Sequence, residues 1–94
     1  MDLSKYPVLH PQVAARVVDG SAVIVLADSG QVNVLNQVGT RIWDLIDGTR
    51  NVQDLVRVVE NEYTVTPETA LRDVQAFLQS LLDADAVTLQ DRPV

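Results

Sequence analysis

The sequence contains no cysteine, which excludes disulfide staples, thiolate metal ligands and thiol nucleophiles together. It has one histidine, His10, set between Leu9 and Pro11 near the start, where a structural or solvent role fits better than a catalytic base. Positive charge is scarce: 7 Lys and Arg stand against 13 Asp and Glu, a net charge of −6. A sequence-independent grip on phosphate backbone is therefore disfavoured. Arg16, Arg41, Arg50, Arg57 and Arg72 form no run of the kind a DNA-reading helix pair carries. The four glycines, Gly20, Gly30, Gly39 and Gly48, are dispersed and make no phosphate cradle. No apolar run approaches the roughly 18 residues of a membrane span, and the N-terminus lacks the basic start and apolar centre of a signal peptide. The expected compartment is the cytoplasm, with neither membrane nor nucleic acid as partner.

What remains is an ordinary globular composition, 94 residues with 47% apolar and 21% charged. A chain of this length forms one small domain that buries roughly 60–70% of its unfolded surface. The first residues, MDLSKYPVLHPQ, carry two prolines and no sustained period, so residues 1–11 read as a lead-in arm, 12–90 as the domain and 91–94 as a tail. Three β-branched runs follow, Val13 to Val18, Ala22 to Ala27 and Gln31 to Leu35. Asp19-Gly20 separates the first two and Asp28-Ser29-Gly30 the second two, both turn sequences. A three-stranded antiparallel meander is expected. Its middle run is apolar throughout, as suits a central strand covered on both faces or lined on its outer face by another element. In the third, Val32 and Val34 point one way and Gln31, Asn33 and Leu35 the other, the pattern of a half-exposed edge strand.

The period then becomes helical. Asn36 caps a helix bearing Val38, Ile42 and Leu45, which Asp47-Gly48 closes. Asn51 caps a second with Val52, Leu55, Val56, Val59 and Tyr63 at helical spacing. Thr66, Pro67 and Glu68 start a third that runs to about Asp83. Its apolar face, Ala70, Leu71, Val74, Phe77, Leu78, Leu81 and Leu82, is wider than one neighbour requires, so a flank is left over for another contact. Ala86 to Leu89 alternates as a short final strand. The order implies an α+β fold, winged-helix-like, with a meander, three helices and that last strand.

Catalytic machinery is thin. Asp44 with Asp47, and Glu60 with Glu62, supply too few convergent oxygens for a metal and read as solvated helix charges. Trp43 and Phe77 read as core aromatics. Asp73, among apolar neighbours on the third helix, is either a flank charge or a partner contact. No catalytic residue, metal site or cofactor is expected. An exposed strand edge, by contrast, offers unpaired backbone groups to a peptide that adds as a further strand.

The stretch VNVLNQVGTRIWDLIDGTRNVQDL carries Leu35-Asn36, Ile42-Trp43, Leu45, Asp47-Gly48, Val52 and Leu55 in an order that resembles the coenzyme PQQ synthesis protein D (PqqD-like) family. The likeness runs from about His10 to Leu89, through Tyr63, Asp73-Val74, Phe77-Leu78 and Leu81-Leu82. It implies a non-catalytic recognition domain that binds the leader of a ribosomally made precursor peptide and presents it to a modifying enzyme, a radical S-adenosylmethionine enzyme or a leader peptidase. Carried onto this chain, the leader would add to Gln31, Val32, Asn33, Val34 and Leu35 and pack against Leu71, Val74, Gln75 and Leu78. Two other readings stay open beside it: a winged-helix nucleic-acid binder, against which the charge argues, and a self-associating module, a homodimer through the sheet edge or the wide helix face.

Overall fold

The computed structural model describes residues 1–26 and 30–94. The middle of the Asp28-Ser29-Gly30 turn, with Ala27, lies outside the described residues. Five strands, β1 (Tyr6–Leu9), β2 (Val13–Val18), β3 (Ser21–Leu26), β4 (Val32–Val34) and β5 (Val87–Gln90), accompany three helices, α1 (Gln37–Leu45), α2 (Val52–Glu62) and α3 (Pro67–Asp83). Strands β2, β3 and β4 form an antiparallel meander with β3 in the centre, and β1 pairs with β5 in a separate ribbon. This is the winged-helix-like α+β arrangement that the element order implies.

The local signals act where expected. Asp19 and Gly20 both take positive φ, 52° and 82°, the pairing that joins two strands without splaying them. Asn36 accepts from the Gly39 amide and Thr66 from the Thr69 amide, while Asn51 and Asp54 satisfy each other's backbone amides in a capping box. Each cap fixes where its helix begins.

The lead-in is more than an arm. Its residues Tyr6–Leu9 lie antiparallel to β5, Pro7 opposite Leu89. The His10 amide donates to the Ala86 carbonyl at 2.9 Å, so the bonded positions of β1 alternate from His10 back through Val8, and Pro7 falls where no ladder donor is needed. Pro7 is among the fully buried side chains.

The core lies between the inner face of the meander and the helices. Ala22, Ile24 and Leu26 of β3 meet Ile42 of α1, Leu55 of α2 and Leu78 of α3, all buried. Trp43 is buried with them, as expected. The outer face of β3 is another matter: Val25 is exposed and Val23 only half-buried, so the central strand is covered on one face.

Candidate functional site

Strand β4 is an edge, paired with β3 alone among the described strands. The Leu26 amide donates to the Gln31 carbonyl and the Leu35 amide to the Ala22 carbonyl. Antiparallel ladders bond at alternate residues, so Gln31, Asn33 and Leu35 turn their backbone groups toward β3. Val32 and Val34 turn theirs to the open side. Their side chains lie on the outer face, across from Val25 and Val23 respectively, 59% and 69% exposed. Asn33 and Leu35 point inward and are half-buried.

The end of β4 is held by a single buried hydroxyl. Thr40 Oγ1 accepts from the Ala22 amide at 3.0 Å and donates to the Leu35 carbonyl at 3.5 Å, tying the start of β3 and the exit of β4 to α1. One turn earlier, Gly39 permits close packing. A Cβ there would stand 3.3 Å from Phe77 Cε1 and 3.2 Å from Asn36 Oδ1. The absence of a side chain at this one glycine lets the Phe77 ring reach the β4–α1 junction.

Between β4 and the C-terminal half of α3 lies an open depression of about 450 Å³, in the size range that accepts ligand groups. Its floor is Ile24, Leu26 and Leu35; its helix wall is Phe77, Ser80, Leu81, Asp83 and Ala84; Gln31, Asn33 and Val34 form the strand side. A second depression of about 320 Å³ continues past Phe77, between Asn36, Val38, Gly39 and Ile42 on one side and Asp73 and Ala76 on the other. Phe77 lines both. Together they form one groove along α3, antiparallel to the run of β4 into α1.

The structure divides the residues named from sequence. Gln31, Asn33, Val34 and Leu35 line the groove, and Val32 contributes the edge beside it. Val74 and Leu78 are 0% exposed and belong to the core, so neither can touch a peptide on this surface. Leu71 and Gln75, half-buried, share their flank and line neither depression. The helix turns its neighbouring stripe to β4: Asp73, Ala76, Phe77, Ser80, Asp83 and Ala84, spaced by three and four. Phe77, expected in the core, is the half-buried ring at the centre of that stripe. The over-wide apolar face was the available signal, but it did not say which side was left over. Asp73 lies at the groove and 3.9 Å from Arg72.

Of the other acidic pairs named from sequence, Asp47 and Glu62 have local work. Thr49, through both hydroxyl and amide, and then Arg50 hold the Asp47 carboxyl below its ordinary value. Arg41 grips Glu62 through two bonds of 2.7 and 2.9 Å and lowers it likewise, joining α1 to the last turn of α2. His10 Nδ1 accepts from the Gln12 amide. Among the described residues no group of three or more His, Cys, Asp or Glu stands close enough to hold a metal, and no helix is long and apolar enough to cross a membrane.

The family described as coenzyme PQQ synthesis protein D (PqqD) matches residues 21–87, the span from β3 to the start of β5 that contains the whole groove. Two solved structures are similar. TbiB1 in complex with the TbiA(beta) leader peptide is 26% identical over 85% of this chain and 93% of its own, with a TM-score of 0.78. Lasso peptide synthetase B1 complexed with the leader peptide is 23% identical over 87% of this chain and 96% of its own, also at 0.78. Among curated proteins none matches.

Proposed function

Because the chain belongs to the coenzyme PQQ synthesis protein D family, matched over residues 21–87, we propose that it is a non-catalytic peptide chaperone that takes up a precursor's leader as an added strand on β4. It then presents the precursor to a separate modifying enzyme, a radical S-adenosylmethionine enzyme or a leader peptidase. The observation that carries this reading is the placement of the free backbone groups of Val32 and Val34 beside an apolar groove. That TbiB1, of the same fold, is seen with a leader peptide supports it. A ribosomal product met before any export puts the encounter in the cytoplasm.

The magnitudes are adequate only if strand and groove act together. Val32 and Val34 offer two donors and two acceptors, and four backbone bonds contribute about 2–6 kcal/mol net at about 0.5–1.5 each. Micromolar binding needs about 8 kcal/mol, after the cost of ordering a flexible peptide. One or two apolar side chains buried at about 1.5–3 kcal/mol each close the difference. The edge supplies sequence-tolerant affinity and the groove supplies the rest, with selectivity.

The test is a native-lysate pull-down with tagged protein, read for short peptides and for enzymes by mass spectrometry, beside Val32→Pro and Val34→Pro. A ribosomally encoded precursor recovered with the wild type and lost with either variant is the expected result. Equal recovery with both folded variants would exclude strand addition at β4. The exposed valines of the sheet, Val18, Val25, Val32 and Val34, favour a second reading in which copies of the chain associate. Sedimentation that shifts with concentration is its signature.

A further inference from the structure

The helix wall of the groove has a charge pattern that the peptide reading leaves unused. Along α3 the stripe facing β4 carries Asp73 at one end and Asp83 at the other, with Phe77 between them, and no basic residue lines either depression. The strand side contributes the neutral Gln31, Asn33 and Asn36. Asp83 Oδ1 accepts from the uncharged Gln79 amide at 2.9 Å. Asp73 has its neighbour Arg72 at 3.9 Å, a long exposed contact that is screened by solvent and salt. An occupant therefore meets an apolar centre with negative charge at both ends, on a chain of net charge −6.

The spacing converts this into a pattern. Ten residues of helix separate the two aspartates, about 15 Å at 1.5 Å per residue. An extended peptide rises about 3.3 Å per residue and points alternate side chains to one face, so residues i, i+2 and i+4 span about 13 Å of the same wall. Lysine and arginine stems easily cover the remaining gap, packing their methylenes on apolar surface while the charged head stays in water.

Resting on the strand-addition reading, we propose that the groove selects an extended peptide with basic side chains at i and i+4, one toward each aspartate, flanking a large apolar side chain at i+2 over Phe77. Leaders with acidic residues at the flanking positions are discriminated against. The aspartates thus act as specificity determinants and steer encounter, as charges at the rim of an interface do.

The experiment is selection from a messenger-RNA-displayed library of random decapeptides on the full-length chain, in parallel on Asp83→Asn, Asp73→Asn and Val34→Pro. Expected is an enrichment of Lys and Arg of about threefold or more at two positions four apart around an apolar residue. Each Asp→Asn variant should lose enrichment at one of these positions and keep the other. Selected peptides should bind the wild type less tightly at 500 mM than at 50 mM salt, by about threefold or more. Enrichment without a basic preference, yet abolished by Val34→Pro, would overturn the charge rule and leave the strand-addition reading standing. Enrichment that survives Val34→Pro in a folded protein would overturn that reading, and the proposal with it. No enrichment on the wild type would overturn the proposal as well.

Discussion

Adjacent residues on α3 do opposite work. Leu78 is wholly buried while Phe77 stands half-open in the groove. Leu78→Ala should cost about 2–5 kcal/mol of stability through the cavity it leaves. Phe77→Ala should weaken peptide binding about tenfold or more with a smaller loss of stability, a difference that paired denaturation and anisotropy titrations resolve. Thr40 presents a different case, since its hydroxyl is the partner of the Ala22 amide in a buried place. Thr40→Val keeps the shape but orphans that donor, at about 1–3 kcal/mol, measurable by urea unfolding. The Arg41–Glu62 pair makes a pH-dependent contribution. The Glu62 carboxyl lies below its ordinary 4.5 and Asp47 below its ordinary 3.8, so what they add is complete above those values and lost as the pH falls through the lower folded-state ones. Arg41→Gln should therefore lower the neutral plateau of the Tm profile slightly, as suits an exposed pair, and converge with the wild type at acid pH where Glu62 is protonated in both, which thermal unfolding across about pH 2–7 checks.

At the scale of the element, β4 is three residues long, and its two faces of hydrogen bonding are not equivalent. Val32 and Val34 keep their amides on the open side, whereas Asn33 turns its own toward β3, in register with Ile24. Proline at 32 or 34 removes an edge donor and should spare the fold. Proline at 33 removes a ladder bond from the meander and should lower Tm by several degrees, which thermal unfolding of the three variants separates. Helix α3 has a comparable division by flank. Its stripe of Ala70, Val74, Leu78 and Leu81 closes the core, and the next stripe round, from Asp73 through Phe77 to Ala84, is the groove wall. Both stripes contain residues that a hydrophobic period alone would assign to one face.

At the scale of the whole molecule, the two ends of the chain are bound to one another and to the middle. Strand β1 holds β5, the Lys5 ammonium pairs with Asp91, and the Val94 amide donates to the Gly48 carbonyl. The carbonyls of Leu3 and Lys5 accept from the amides of Gln53 and Val52 at the start of α2. Deleting residues 1–9 removes all of these except the Val94–Gly48 bond and uncovers β5, at an expected roughly 2–4 kcal/mol. For a domain of this size Tm should fall by about 10 °C or more.

The features the sequence by itself determined are those set by neighbours three or four residues apart. Asn36, Asn51 and Thr66 fixed the helix starts, Asp19-Gly20 fixed the first hairpin, and the alternation of Val32, Asn33 and Val34 marked an edge strand before any partner was known. These are local steric and hydrogen-bonding constraints that hold wherever the segment lies in space. Tertiary structure alone decided the pairing of β1 with β5, because it joins segments some 80 residues apart, and two prolines concealed the strand. It also decided which flank of α3 faces β4. That choice depends on the angle at which the helix rests on the core and on the room that Gly39 leaves for the Phe77 ring, and a wide apolar face fits either angle.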